Sequence, residues 1–537
     1  MIALFSAVVF AQAAPADSST AADAPASTSL EVSQPGGQDL EYRTGRVRET
    51  GAATEVGGLI ETQWHEYDNL DFRALDESSD QAILDSDDRG RLAFTGAALD
   101  VRHQVDDHTE VAVSTSFRGL WGNDQIGTTT PFGGWIYFNN LYLRAFTADD
   151  GPSLTIGREY FEIGGLAGTP DYILADVLDY VRGDLPLPGF GRIILIPVNV
   201  TAISGDDTGP DFLTYVGQSS DPIFNLRGDK ATIRTGAVVK ADDLPIPIDL
   251  TAYGFFTRVG GAGSGSDISF GGELGNFSDK DWLANAGVRA QAELGPILPY
   301  AHFDFSTGMD RKELVAQDVD AYGFAWGAGL ALRTAKEDDD GDRAGFDAQA
   351  TYFDCLGAAY AENGLLYSHG YVGMKGRQVG GLVMNRYLGW HPTAYLGTDG
   401  IADTPHDTDR KSGTRVLHAG AEAAFPGAMS VGVGWWYAQD TGVTYLPRDA
   451  VDTITPPYGY SQSEFEAEFR HGATLGQEID VTVTAELTES LDLVAIGGIL
   501  MPGAFYATEI DRVAGTQLGS RNPENTLAAS GSARVRF

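Results

Sequence analysis

Charged residues occupy alternate positions in several stretches whose remaining alternate positions are apolar. Arg118, Arg234 and Arg289 lie in three of these stretches, and Glu478 and Asp480 lie two residues apart in a fourth. Side chains two apart share one face of a β-strand, so each stretch has a polar face and an apolar face. Charges that project from several strands into one wet interior can sort ions by sign. They can equally pair with one another and brace the wall, and the sequence leaves both interpretations open.

The alternation is clearest in the segment 475–505. One face of its first half is apolar: Ile479, Val481, Val483, Ala485 and Leu487. The other face is polar: Glu478, Asp480, Thr482, Thr484 and Glu486. A short connection and a second apolar run, 491–501, follow. In a soluble sandwich such a charged face would point outward to water, whereas in a membrane barrel it points inward to the lumen.

The same two-residue period recurs along most of the chain. It is present in the segments 109–121, 230–240, 282–294, 322–332 and 415–425. Connections alternate between short ones, such as 295–296 and 488–489, and long ones, such as 203–228 and 441–461. This pattern predicts an all-β fold, a single transmembrane antiparallel β-barrel with short periplasmic turns and long extracellular loops. At ~27 residues per strand and connection, we expect ~18 strands, within a range of about 16–20.

Composition narrows the class of protein further. The chain has 537 residues, of which 75 are acidic and 36 are basic, giving a formal net charge of -39. Nucleic acid is therefore not an expected partner, because phosphate binding needs clustered Lys and Arg. After the N-terminus there is no run of ~20 apolar residues, which excludes a helical membrane span. The single cysteine, Cys355, cannot form an internal disulfide.

The first 53 residues differ from the rest of the chain. Residues 1–16 are apolar and contain the small-x-small pattern Ala11-Gln12-Ala13, which predicts a secretory signal peptide. Residues 17–53 are rich in Ala, Ser, Thr, Pro and Asp, which predicts a flexible tail. The barrel is expected to span 54–537. These features together indicate the outer membrane of a Gram-negative envelope.

Two patches resemble the alginate-export family of outer-membrane porins. The first is Leu475–Asp480 with Met501–Phe505, and the second is Ile156–Phe161 with Asp179–Gly183. The resemblance implies a monomeric barrel of 18 strands that conducts an anionic polysaccharide past lumenal arginines. By motif match, Arg158 and Arg182 would be two of those arginines.

The register of Arg158 depends on one backbone feature. Strict alternation from Leu154 and Ile156 places Arg158 on the lipid face. A β-bulge at Gly157 would turn it toward the lumen. At the other end of the chain, Phe537 resembles the C-terminal aromatic residue that the barrel-assembly machinery reads, so we interpret it as an assembly signal.

Signals for metal binding or catalysis are weak. Asp338, Asp340 and Asp347 match part of a calcium-binding loop, but Lys336 occupies its first ligand position. No HExxH motif or Cys/His cluster is present. We therefore expect no cofactor, a polar turn rather than a metal site, and no enzymatic activity.

The sequence as a whole predicts an outer-membrane porin for a hydrophilic, anionic solute or polysaccharide. Its other expected partners are outer-membrane lipid, lipopolysaccharide and the assembly machinery. The predicted pore-lining residues are Arg118, Arg158, Arg182, Arg234, Arg289, Glu478 and Asp480. The first alternative is a non-conducting barrel with acidic loops that serves a structural or adhesive role. The second is a hydrolase built into the barrel.

Overall fold

Eighteen long strands dominate the described part of the chain. The computed structural model describes residues 54–70, 72, 89–120, 136–147, 151–166, 170–203, 231–258, 282–310, 319–337, 343–357, 359–360, 366–368, 370–374, 376–377, 379–388, 390, 394–395, 413–426, 429–441, 474–488, 490–504, 508–511, 516–520 and 523–537. The signal peptide and tail predicted for 1–53 lie outside these residues and stay predictions.

The strands follow one another along the chain, and their side chains alternate between the inner and outer faces of the wall. In order they are β1 (Thr54–Asp68), β2 (Arg89–Asp106), β3 (Thr109–Leu120), β4 (Ile136–Phe146), β5 (Ser153–Glu162), β6 (Ala175–Leu187), β7 (Gly191–Ile203), β8 (Ala231–Ala241), β9 (Ile248–Arg258), β10 (Trp282–Ala292), β11 (Ile297–Asp310), β12 (Val319–Arg333), β13 (Arg343–Cys355), β14 (Thr414–Phe425), β15 (Met429–Asp440), β16 (Thr474–Thr488), β17 (Leu491–Pro502) and β18 (Thr526–Arg536).

Each long strand pairs antiparallel with its neighbours in the chain, and the sheet closes on itself. β1 pairs with β2 on one side and with β18 on the other, where Leu59 stands opposite Arg536. Beyond that ladder, the Gly58 amide donates to the Phe537 carbonyl at 2.9 Å, and the Phe537 amide donates to the Gly58 carbonyl at 3.1 Å. Closure leaves no edge strand. The prediction of an antiparallel barrel of about 18 strands is confirmed.

The two faces of the wall carry different side chains, as the alternation predicts. Val288 and Val481 are 56% and 48% exposed, whereas their neighbours Arg289 and Asp480 are 5% and 2% exposed. At these positions the apolar side chains face outward and the charged ones face the interior. No helix in the described residues is long and apolar enough to cross a membrane.

Short elements accompany the barrel strands. A π-helix spans Leu382–Tyr387. Short strands are Lys336–Glu337, Ala359–Tyr360, Leu366–Ser368, Val372–Gly373, Ala394–Tyr395, Thr508–Asp511 and Thr516–Ser520. The Val372–Gly373 strand pairs in parallel with Ala394–Tyr395, in a sheet separate from that of the barrel.

Described residues of two connections pack inside the barrel. We call the described residues within 163–174, between β5 and β6, the short inner segment, and those within 371–390, between β13 and β14, the long inner segment. Tyr371, Val383 and Trp390 of the long inner segment are fully buried, as is Leu174 of the short one. They join a continuous hydrophobic cluster with lumen-facing wall residues such as Phe353. The barrel interior is thus a packed core over part of its cross-section.

The two inner segments also hydrogen bond to each other. The Met374 amide donates to the Ile173 carbonyl at 2.9 Å, and the Arg377 amide donates to the Asp171 carbonyl at 2.7 Å. These bonds satisfy backbone groups that burial would otherwise leave unpaired. Sequence analysis did not predict inward folding of either connection.

Candidate functional site: the barrel lumen

Arg289 of β10 holds the short inner segment against the wall. Its Nη2 donates to Asp171 Oδ1 at 2.9 Å, and its Nη1 donates to the Gly164 carbonyl. Asp171 also accepts the backbone amides of Gly164 and Ile173, at 3.1 and 3.0 Å. Because both partners of this ion pair are almost fully buried, each depends on the other for charge compensation.

The carboxyl group of Asp171 titrates below its ordinary range. Burial alone would raise the pKa of Asp171 by penalising the charged form. The charge and hydrogen bond of Arg289, together with the Ile173 and Gly164 amides, outweigh burial and lower that pKa. Asp171 is therefore ionised at neutral pH, which keeps the ion pair with Arg289 intact.

The wall around β8–β11 holds the start of the long inner segment. Arg234 donates to the Met374 carbonyl at 3.1 Å and to Thr257 Oγ1 at 3.2 Å. Asn285 donates to the Val372 carbonyl at 2.7 Å. The polar side chains of this wall thus supply partners for the backbone of a buried loop.

Glu478 and Asp480 of β16 hold the π-helix. Glu478 accepts the amides of Val383 and Met384, at 2.5 and 2.9 Å, through its two carboxylate oxygens. Asp480 accepts the Leu382 amide at 3.2 Å. The first amides of a helix have no partner within the helix, so these carboxylates satisfy them.

The far end of the π-helix is fastened to β1. Arg386 donates to Gln63 Oε1 at 3.1 Å and also contacts the His65 ring nitrogen. Tyr387 packs edge-on against His65, with ring centroids 6.3 Å apart. The long inner segment therefore reaches from the β8–β11 wall to β16 and β1, on the opposite side of the barrel in strand order.

Arg182 of β6 has a different environment. It donates to Asp184 at 2.7 Å and contacts Glu159 at 3.4 Å. Glu159 is shared with Arg144, at 3.0 Å. Glu110 accepts the Tyr142 hydroxyl at 3.0 Å. Except for the Arg182–Asp184 pair within β6, these contacts run between neighbouring strands from β3 to β6. The charged side chains remain 15–28% exposed.

Arg158 does not face the lumen. Its guanidinium pairs with Asp179 at 2.6 Å on the same face as Ile156, which is 48% exposed. Gly157 has a φ of 135°, but the ladders to β4 and β6 run through it without a register shift. Because no bulge interrupts the alternation, the predicted pore-lining position of Arg158 is wrong.

The remaining predicted residues take no described part in holding the inner segments or in the contacts around Arg182. Arg118 lies on β3 opposite Gly96, and its side chain is outside the described part of the structure. Asp338 and Asp340 lie outside the described residues. Asp347 accepts the amides of Thr334 and Ala335, at 2.8 and 3.0 Å, so it fastens the turn before β13. Among the described residues there is no cluster that could hold a metal ion.

Sequence reasoning missed the anchoring of the inner segments, although one signal was present. The long connection between β13 and β14 contains the run Val379–Met384 and Trp390. Large apolar side chains are mostly buried in folded proteins, so a fully solvated loop rarely contains this many of them. Their presence in a long connection indicates a loop that packs inside the barrel.

The outer surface of the barrel indicates where the protein resides in the cell. Closed barrels satisfy every backbone group of their strands, which a bilayer requires of a structure that crosses it. The apolar outward face of this barrel continues around the wall, with exposed side chains that include Leu143, Leu195, Phe256, Phe303, Leu330, Val433 and Leu493. This chain is an outer-membrane β-barrel.

Solved structures with a similar overall shape include OprD of Pseudomonas aeruginosa, with a TM-score of 0.44 and 9% identity over 92% of this chain and 99% of that one. OccK11 (OpdR) of the same organism has a TM-score of 0.43 and 10% identity, covering 93% and 98% of the two chains. OmpT of Vibrio cholerae has a TM-score of 0.38 and 9% identity, covering 92% and 100%. Likenesses this distant carry no argument about solute or partner.

No family model and no curated protein matches the chain. The resemblance to the alginate-export family therefore stays a prediction, as does the role of Phe537 as an assembly signal.

Proposed function

We propose that this protein is a channel that passes hydrophilic solutes across the outer membrane, through a lumen narrowed by its two inner segments. The observation that supports this most directly is the wall formed by β3–β6. Its charged lumen-facing side chains stay partly exposed, whereas the ion pairs Arg534–Glu61 and Arg289–Asp171 elsewhere in the lumen are covered. Charged groups that retain water beside a packed interior are what a narrow aqueous path requires.

The anionic polysaccharide implied by the family resemblance needs a lumen in which cations outnumber the acids near them. Arg182 is shared between two carboxylates, and Arg289 is paired with Asp171. Arg234 is committed to the carbonyl of Met374. Arg158 lies on the outer face. Our proposal therefore covers hydrophilic solutes in general and does not rest on a ring of arginines.

A second candidate function is a non-conducting barrel that serves the envelope structurally. It is favoured by the full burial of Tyr371, Val383 and Trp390, because a segment that packs this tightly leaves little room beside it. The two candidates differ in whether the path along β3–β6 is continuous through the barrel.

Single-channel recording in planar bilayers tests the two candidates. The variant replaces residues 371–390 with a short Gly/Ser linker, which removes the long inner segment. We expect the parent protein to conduct and the variant to conduct several-fold more, because the lumen widens. A silent parent with a conducting variant would support the plugged structural barrel. Silence in both, with the barrel shown to be folded, would contradict the channel.

Lipopolysaccharide, the assembly machinery and a monomeric state remain proposals about partners. Each follows from the barrel class, and co-purified lipid and detergent-solution mass would test the first and the last.

A further inference from the structure

The lumen wall is unevenly covered. The buried pair Arg534–Glu61, between β18 and β1, has side chains 2% and 1% exposed, and Arg289–Asp171 has 4% and 0%. In contrast, the pair Arg144–Glu159 has side chains 28% and 17% exposed. All of these groups face the interior, so the difference measures how much water reaches each part of the wall. Water reaches β3–β6.

One exposed part of the wall is a strip of five charged side chains, which we call the open strip: Glu110, Arg144, Glu159, Arg182 and Asp184. Neighbours in the strip have opposite signs. Arg144 lies 3.8 Å from Glu110 and 3.0 Å from Glu159, while Arg182 lies 3.4 Å from Glu159 and 2.7 Å from Asp184. Acids and bases thus alternate across four adjacent strands.

Aromatic residues hold the open strip in place. The Tyr142 hydroxyl donates to Glu110, and the Tyr180 hydroxyl donates to Glu159. The Arg144 guanidinium lies 4.9 Å from the centre of the Tyr142 ring. These contacts come from the wall itself, unlike those of Arg289 and Glu478, which bind inner segments. The strip is therefore preorganised and still open to solute.

We propose that the solute path runs off-centre along the open strip, and that the strip favours net-neutral hydrophilic solutes over ions of either sign. This inference rests on the proposed channel function and adds where solutes pass and which charge class they have. A polar solute without net charge can exchange hydrogen bonds with both the carboxylates and the guanidinium groups.

The charge balance of the strip explains the preference. Adjacent opposite charges largely cancel for an ion that passes them, so neither sign is strongly attracted. The strip has three acids and two bases, and Arg102 of β2, which stands in the same cross-strand row as Tyr142, is a third lumen-facing base beside it. A unit charge acting across ~7 Å of water raises the occupancy of one ion about 2.7-fold and lowers that of the opposite ion by the same factor, so it changes their ratio about sevenfold. An imbalance of at most one charge therefore limits the preference of the parent channel between K⁺ and Cl⁻ to about sevenfold.

The first experiment measures reversal potentials in a KCl gradient. Arg182→Gln removes a positive charge from the strip and should shift the K⁺/Cl⁻ selectivity about sevenfold toward K⁺. Glu159→Gln should shift it about sevenfold toward Cl⁻. Arg158→Gln is the matched control, because it makes the same charge change on β5 but on the outer face. We expect no shift from this control.

The results of this experiment distinguish a failure of the channel function from a failure of the proposed off-centre path. If the parent does not conduct, the channel function fails and the path fails with it. If the parent conducts but Arg182→Gln behaves like Arg158→Gln, the path alone is overturned. Should Arg182→Gln fail to fold, Arg144→Gln makes the same charge change in the same strip, and Arg182→Lys should retain the parent selectivity.

The second experiment compares solutes of similar size in proteoliposome swelling. Glucose is neutral, gluconate is anionic and glucosamine is cationic at neutral pH. We expect glucose to enter fastest. Faster entry of gluconate would overturn the net-neutral preference in favour of an anion channel, and faster entry of glucosamine would overturn it in favour of a cation channel.

Discussion

Arg289 and Arg182 face the same lumen and each binds an aspartate, yet the two regions around them have different roles. The partner of Arg289 is Asp171, which comes from a loop folded over the wall. The partner of Arg182 is Asp184, two residues away on its own strand. The first pair fastens a loop and is hidden from water, while the second is left open to it. The two ion pairs have the same residue types. What distinguishes the structural pair from the solvent-exposed pair is whether a connection packs over it.

The largest effect is expected from breaking the covered pair. Arg289→Leu leaves the Asp171 carboxylate buried without its cation, which should lower the free energy of unfolding by about 3–5 kcal/mol. Urea unfolding of the folded barrel in lipid vesicles measures the loss. In the double variant with Asp171→Leu, part of the loss should be recovered. An unchanged midpoint for Arg289→Leu would show that the ion pair does not fasten the inner segment.

The outer faces of the two regions should respond alike, since both contact lipid. Val288→Arg on β10 and Val113→Arg on β3 should each cost about 2–4 kcal/mol if the side chain lies near the bilayer midplane. Val288→Leu and Val113→Leu serve as controls and should fold as the parent does. Folding yield into vesicles gives the comparison. A clear tolerance of arginine on β3 alone would mean that this face is not in lipid.

Acid should weaken the covered region through Asp171. Because the pKa of Asp171 is lower in the folded protein than the ~3.9 of an unfolded chain, its stabilising contribution is present above that value. The contribution is lost as pH falls through the folded pKa. The unfolding temperature should therefore drop below pH ~4, and less so in Asp171→Asn, which has no such proton to gain. Equal acid sensitivity in parent and variant would exclude Asp171 as the cause.

The smallest effect is expected at Arg158, outside both regions. Its pair with Asp179 is nearly half exposed on each side, so removing the charge with Arg158→Gln should cost about 0–1 kcal/mol. The same unfolding assay as for Arg289 applies, with Asp179→Asn as the partner control. A loss comparable to that of Arg289→Leu would mean that the outer-face pair braces the barrel.

Much of the wall could be predicted from the sequence. Alternation placed Val481 outward and Asp480 inward, and the structure has them so because a strand admits only two side-chain directions. Alternation also placed Arg158 on the outer face unless Gly157 formed a bulge. The family resemblance favoured the lumen at that position. The ladder between β4 and β5 runs through Gly157 without a register shift, so the prediction from alternation was the correct one.

The sequence by itself determined the closed barrel, its strand number within a narrow range and the face of most wall side chains. These follow from a local period of two and from the length of each strand. Only the tertiary structure decided which lumenal charges are covered, because that depends on contacts such as Arg289 with Asp171 and Glu478 with Met384, which lie far apart in the chain. A period carries no information about where a long connection packs. The inner segments fold inward because their buried apolar residues and the wall's charged groups satisfy each other.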